Sequence, residues 1–355
     1  MDASRFRVFR LCAPAVVCSL VLLGGCTGSD SPAKQDGTTS TRDVAAGTAS
    51  DLQSEYMRVI KDVLPSVVQI RSGNALGSGV VYDDKGHIVT NAHVIGDGRT
   101  FQVTTANSEH TLTASLVSSY PAQDLAVIRL NTVPRGLKAA VFANSAKVEV
   151  GQIVLAMGSP LGLSSSVTQG IVSATGRTVS ESGTQGGTGA TIANMVQTSA
   201  AINPGNSGGA LVNLDSQVIG IPTLAAVDPD LGNSAAPGIG FAIPANMVKT
   251  IADQIIGTGR VTHSGRAALN ITGRTVVNAG YRPIGVAVAR VDPGGAADRA
   301  GLRTGDIIIK VGDQDITTIT SLAEALAGDK PGQRTTVTYL RDGSRKTADV
   351  TLGEQ

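Results

Sequence analysis

The stretch NPGNSGGAL, Asn203 to Leu211, sets Ser207 in a glycine-dense tight turn that runs into an apolar strand. Glycines on both sides of a serine let the backbone fold so that its N–H groups converge on one point, which is what stabilising a tetrahedral oxyanion requires. A serine hydroxyl is a poor nucleophile at neutral pH. A neutral imidazole must take its proton, and a carboxylate must hold that imidazole in the right tautomer. Candidates for both lie upstream. His93 stands in TNAHV, Thr90 to Val94, at the end of an apolar strand, and Asp124 opens DLAVIRL, where a carboxylate directly precedes a strand with a buried pattern.

Gly205, Ser207 and Gly209 also fit the G-x-S-x-G elbow of α/β-hydrolases, in which acid and histidine follow the serine. After Ser207 this chain has His263 alone, in a segment that reads as a linker. The order histidine, aspartate, serine is instead that of the chymotrypsin-like fold. The surrounding pattern agrees, with short apolar runs broken by Gly and polar turns at 67–70, 79–82, 87–90, 101–104, 125–130, 153–157, 170–174, 209–212, 218–221 and 240–243. That cadence predicts an antiparallel barrel or sandwich, and strands alternating with long helices are absent from it.

Apolar residues at near-helical spacing from Leu52 to Leu64 predict an amphipathic helix, capped at Ser50 or Asp51 and stopped by Pro65. A second helix is expected over Pro244 to Ile256, closed at Gly257, with 257–265 as a domain boundary. Two polar stretches, Thr178 to Ala193 and Val227 to Pro237, read as long loops.

At 355 residues the chain exceeds one core, and two domains plus tails are expected. The net charge is +1, without clustered Lys and Arg beyond the N-terminus, so nucleic acid is not an expected partner. Arg5, Arg7 and Arg10 precede an apolar run from Leu11 to Leu23, the layout of an export signal and too short for a bilayer span. Leu23, Gly24, Gly25 and Cys26 resemble a bacterial lipobox, which places lipidation on Cys26 and the protein at the outer face of the cytoplasmic membrane. Cys12 and Cys18 fall inside the signal, so the mature chain has no second cysteine for an intramolecular disulfide. Thr27 to about Ser50 has little to bury and reads as a flexible tether. The expected division is 1–25 signal, 26–50 linker, 51–260 first domain and 266–353 second domain.

TNAHV, DLAVIRL, GNSGGAL and GIGFAIP, Gly238 to Pro244, together resemble the HtrA/Deg serine proteases, over about residues 52 to 353. The resemblance implies a mostly β chain in which a chymotrypsin-like double β-barrel precedes a PDZ domain. It makes His93 the general base, Asp124 its orienter and Ser207 the nucleophile, with backbone N–H groups of Gly205, Asn206 and Ser207 as oxyanion hole. No metal or cofactor is implied. A homotrimer built in part by 52–65 is implied, as are regulatory roles for the two polar loops. Six positions before the serine, where trypsin-like enzymes carry an acidic pocket floor, stands Ala201. With Ala200, Ile202 and Ile239 it predicts a small apolar pocket and cleavage after Val, Ala or Ile.

From Arg266 onward, VARVDPGGAADRAGLRTGDIIIKVGDQDI (288–316) and SLAEALAG (321–328) resemble an HtrA-type PDZ domain, which captures an extended C-terminal or unfolded peptide at a sheet edge. Its carboxylate loop, apolar-Gly-apolar in the family, corresponds to Leu269, Asn270 and Ile271; Asn270 replaces the glycine, and asparagine tolerates positive φ. The other registration, Ile284, Gly285 and Val286, fits better as a strand. The task implied is ATP-independent proteolysis of misfolded or specific proteins; the competing reading is a catalytically restrained chaperone or scaffold.

Overall fold

The computed structural model describes residues 41–73, 75–105, 110–159, 166–180, 190–203, 205–228 and 234–355. The expected signal, Cys26, residues 26–40 of the expected tether, and 181–189 and 229–233 of the two expected loops lie outside them. The chain divides into units of residues 1–48 and 49–355; of the first, only the backbone of 41–48 is described, as the start of a helix.

That helix, α1 (Thr41–Val63), begins ten residues before the expected cap. Ala45, Ala46 and Ala49 carry the highest helix propensity, and no proline interrupts them, so polarity alone does not stop the helix. A 3₁₀ turn over Leu64–Ser66 ends it at Pro65.

Six strands form a closed barrel: β1 (Val67–Ser72), β2 (Ala75–Val81), β3 (His87–Thr90), β4 (Thr100–Thr105), β5 (Leu112–Tyr120) and β6 (Leu125–Leu130), in the order β1-β2-β3-β6-β5-β4. Closure leaves no free edge. Alternate residues such as Val68, Ile70, Ile88, Val103, Ala126 and Ile128 fill its interior. A short helix, α2 (Ala92–Ile95), follows β3 directly and carries His93.

A second sheet comprises β7 (Val141–Phe142), β8 (Ile153–Gly158), β9 (Ser166–Ser180), β10 (Thr191–Thr198), β11 (Ala210–Val212), β12 (Gln217–Asp228) and β13 (Ser234–Pro244), ordered β11-β8-β9-β10-β13-β12-β7. Because β11 also pairs with β12, six of these strands close into a ring, and β7 lies outside it, parallel to β12. The expected loops shrink accordingly. Thr191 pairs with Ser180 and Ile192 with Val179, while Asp228 pairs with Ser234. Thr- and Val-containing segments make good strands although they read as polar.

Helix α3 (Ala245–Thr258) is entered through Pro244 and capped by Gly259 in the left-handed conformation at φ 76°. Gly257, the expected terminator, lies inside it; Gly259 supplies the backbone geometry that a helix end requires. The C-terminal part pairs β14 (Ala267–Ala268) with β21 (Gly353–Glu354). Beside them β15 (Ile271–Val277), β16 (Pro283–Val291), β17 (Ile307–Val311), β19 (Arg334–Arg341) and β20 (Ser344–Thr351) form a sheet in that order, with β18 (Gln314–Asp315) attached to β17. Strand β15 is therefore an edge. Helix α4 (Ala296–Arg299) follows β16, and α5 (Ile319–Ala327) starts at a capping box of Thr318 and Ser321.

Asp306, buried just before β17, receives Arg341 through Nε at 2.7 Å and Nη2 at 2.8 Å, and the Arg303 backbone N–H at 2.7 Å. Burial alone would raise this carboxyl, but the bonds from Arg341 and Arg303 outweigh it and hold the pKa below the usual aspartate value. A lowered folded-state pKa contributes stability above the unfolded value, about 4, which is lost as pH falls through the folded one. Asp306→Asn is expected to lower the melting temperature at pH 7, with the gap to the parent narrowing from pH 5 to pH 2. A constant gap across that range would contradict the assignment.

Candidate active site

Asp124 follows a 3₁₀ turn, Pro121–Gln123, and takes the left-handed conformation, φ 48° and ψ 42°. Aspartate tolerates this region better than most side chains. The twist aims a fully buried carboxylate (0% exposed) at α2. There Asp124 Oδ1 accepts the backbone N–H of His93 at 2.9 Å, and Oδ2 lies 2.8 Å from His93 Nδ1. A carboxylate can only accept, so Nδ1 carries a proton, and in the neutral imidazole Nε2 keeps its lone pair. The imidazole itself is 20% exposed.

Thr223 on β12 completes the set. Its hydroxyl donates to Asp124 Oδ2, and its carbonyl oxygen accepts from Ser207 Oγ at 3.3 Å. Asn91 Nδ2 and the Ala92 N–H also donate to the Asp124 carbonyl, at 3.0 and 3.2 Å. Both threonine and asparagine escape a reading of the chain. Thr223 lies mid-strand with no motif around it, and only its pairing within the second barrel brings it to Asp124. The asparagine is inside TNAHV, where the histidine draws the attention.

The Ser207 turn is stitched to the first barrel. Ser78 N–H donates to Ser207 O at 2.9 Å, Ser78 Oγ donates to Gly205 O and accepts from Ser159 N–H at 2.8 Å, and Thr90 Oγ1 donates to Ser78 O at 2.6 Å. Gly208 has φ 81°, and a Cβ there would stand 2.2 Å from Ser78 O. Only glycine fits this seam. Gly205 also has positive φ, 103°, and the Asn206 side chain donates to Ala201 O at 3.3 Å.

The candidate pocket residues separate. Ala200 and Ile202 are buried in the second barrel's apolar cluster with Val154, Val172 and Leu211, whereas Ala201 and Ile239 are exposed. Ala200 thus faces the barrel interior, packed so closely under Gly170 that a Cβ there would meet its backbone N at 2.1 Å.

In the C-terminal part, β15 and α5 border a groove of about 400 Å³ lined by Leu269, Asn270, Ile271, Ile319, Leu322 and Leu326, among others. The carbonyls of Leu269 and Asn270 are turned inward, accepting from Ala297 N–H at 2.9 Å and Asp292 N–H at 3.0 Å. In a trans peptide the N–H points opposite its carbonyl, so the N–H groups of Asn270 and Ile271 point away from those partners. Arg266 also lines this groove. Its Nη1 donates to Ala122 O at 2.6 Å, and Gln123 Nε2 donates to Ser264 O at 3.3 Å, so the segment leading into the C-terminal part holds the turn that precedes Asp124.

Among the described residues no group of His, Cys, Asp and Glu is placed to hold a metal ion, and no helix is long and apolar enough to cross a membrane.

Residues 77–221 match the family described as trypsin-like peptidase domain, and 256–352 match the PDZ domain. The chain is 37% identical over 334 residues to serine protease PepD of Mycobacterium tuberculosis, covering 88% of this chain and 70% of that one. It is 38% identical to the periplasmic serine endoprotease DegP of Escherichia coli over 78% of this chain and 57% of that one. Among solved structures it is similar to the HtrA-type protease AlgW with decapeptide, at 28% identity and TM-score 0.57, over 84% of this chain and 98% of that one.

The geometry predicts a slowly exchanging, far-downfield proton on His93 Nδ1 in the NMR spectrum, lost in Asp124→Ala. Its persistence in that variant would show that Asp124 is not its acceptor.

Proposed function

The chain belongs to the HtrA/Deg family of trypsin-like serine proteases with a C-terminal PDZ domain, and from that premise we propose that His93, Asp124 and Ser207 are its catalytic triad. It is a serine endopeptidase. The observation that carries the triad is the doubly bonded pair of Asp124 and His93, with Thr223 joining the acid to the Ser207 turn.

Ser207 Oγ attacks the scissile carbonyl while its proton passes to His93 Nε2. Asp124 holds the Nδ1 tautomer and stabilises the imidazolium that forms. Backbone N–H groups of Gly205 and Ser207 receive the oxyanion, the Asn206 N–H being donated to the Asn203 carbonyl at 3.0 Å, and His93 then returns its proton to the leaving amine. Substrates are unfolded or specific proteins cleaved after Val, Ala or Ile, in keeping with Ala201, six positions before the serine, and the exposed Ile239. The PDZ part receives an extended C-terminal peptide as an added strand on β15, its carboxylate facing Leu269, Asn270 and Ile271. The decapeptide named with AlgW supports peptide binding by this chain.

We place the protein outside the cytoplasmic membrane, anchored through Cys26 after removal of 1–25 and tethered by 26–50, with 51–260 as protease domain and 266–353 as PDZ domain. It assembles as a homotrimer through the 52–65 region. The periplasmic DegP supports export. A fatty acid fed to cells is expected to label the protein but not Cys26→Ala, and sedimentation should give three copies; equal labelling, or a monomer, removes the respective assignment.

Hydrolysis of a reduced, unfolded protein by the full chain tests the mechanism. Ser207→Ala and His93→Ala are each expected to lose activity by about 10⁴ or more, with no further loss in the double variant. Thr223→Val should cost roughly 10–100-fold, since it leaves a buried carboxylate short of one donor. Cut sites in the same digest should follow Val, Ala or Ile, and cuts after Lys or Arg would refute that preference. No hydrolysis by a folded, peptide-binding parent would favour the restrained-chaperone reading.

A further inference from the structure

The loop proposed to receive a peptide carboxylate carries Asn270 where the family has glycine, and the structure shows what the side chain does there. Asn270 holds φ 57°, the region that a glycine would enter freely. Its amide spans two elements. Oδ1 accepts the backbone N–H of Ala296, at the start of α4, at 3.2 Å, and Nδ2 donates to the carbonyl of Glu354 on β21 at 3.0 Å.

Two glycines make room for it. A Cβ on Gly353 would stand 2.1 Å from Asn270 Oδ1, and one on Gly295 would stand 2.7 Å from Asn270 Cβ. Neither glycine has a positive φ; Gly295 is at φ −71° and ψ 175°, a conformation open to any residue. Space for the Asn270 side chain, rather than backbone geometry, therefore accounts for glycine at 353, while at 295 it acts together with the Asp292 carbonyl, 2.9 Å from where a Cβ would stand.

With the bonds from Ala297 to Leu269 O and from Asp292 to Asn270 O, four hydrogen bonds fix the orientation of this loop. They tie it to α4, to the residue after β16, and to β21. The two peptide planes whose N–H groups turn away from the body are the ones so fixed.

We propose that Asn270 is a positioning residue that holds the carboxylate-receiving loop formed before any peptide arrives. Glycine at this position would add freedom, and the ordering cost would then fall on binding. The inference rests on the PDZ part receiving a C-terminal peptide.

The test uses the full chain carrying Ser207→Ala, so that the probe is not cleaved. The probe is a fluorescein-labelled decapeptide ending in Ile-Ser-Val, compared as the free acid and as the C-terminal amide. The parent should bind the acid more tightly than the amide. Asn270→Gly should weaken binding of the acid by roughly tenfold, with little change for the amide and little change in melting temperature. Gly353→Ala, which expels the Asn270 amide by contact, should weaken the acid similarly, and the double variant should be no weaker than either single one. Equal or tighter binding of the acid by Asn270→Gly, or additive losses in the double variant, would overturn the positioning role. A parent that does not distinguish acid from amide would instead remove the peptide-terminus reading itself, and this role with it.

Discussion

A fully buried carboxylate is tolerable only when its oxygens find donors, and Asp124 imposes that demand on three parts of the chain. The α2 segment supplies the His93 backbone and ring, β12 supplies the Thr223 hydroxyl, and the residues just before α2 hold the Asp124 carbonyl. Neither barrel alone meets the demand. Asp124 and His93 come from the first ring of strands, while Thr223 comes from the second, so satisfying one buried charge also fixes how the two rings meet.

The seam between them follows the same logic. Ser78 bonds to Ser207 O, Gly205 O and Ser159 N, so one small side chain and its backbone anchor the Ser207 turn from the opposite barrel. Small residues are required because the backbones approach so closely. Gly208 leaves no space for a Cβ beneath Ser78 O, and Gly209 leaves none beneath Met157 O. The glycine density around Ser207 that stands out in the sequence therefore has three causes: turn geometry at Gly205, contact between barrels at Gly208, and close packing on β8 of the same barrel at Gly209.

Much of this was legible in the chain before folding was considered. His93, Asp124 and Ser207 each sit beside a short buried run, and runs such as 87–90 and 125–130 coincide with β3 and β6 because both faces of those strands are buried. Strands with mixed faces were harder to read. Strand β5, LTASLVSSY, is mostly half-buried, and β10 begins inside a stretch that reads as a polar loop. Thr223 had no local signal, because its role exists only once β12 lies beside the Asp124 turn. Asn270 was legible as a departure from glycine, but not its reason, since Gly295 and Gly353 are 25 and 83 residues away.

The turn before Asp124 has one more support, which explains why Asp124 and the PDZ part share a boundary. Arg266 is partly buried, and burial lowers its pKa from the usual arginine value. Among the described residues no carboxylate lies within ion-pair distance of it, and its hydrogen bond goes to the Ala122 carbonyl at 2.6 Å. A charged donor on a neutral acceptor is stronger than an ordinary amide bond, and more so away from water. Glu354 extends the arrangement on the other side, with Oε1 accepting from Gly265 N–H at 2.7 Å and its carbonyl accepting from Asn270. The segment 264–266 is thus bonded to the Asp124 turn on one side and to β21 beside the groove between β15 and α5 on the other. A connector that was only a spacer would have no need to bury an arginine.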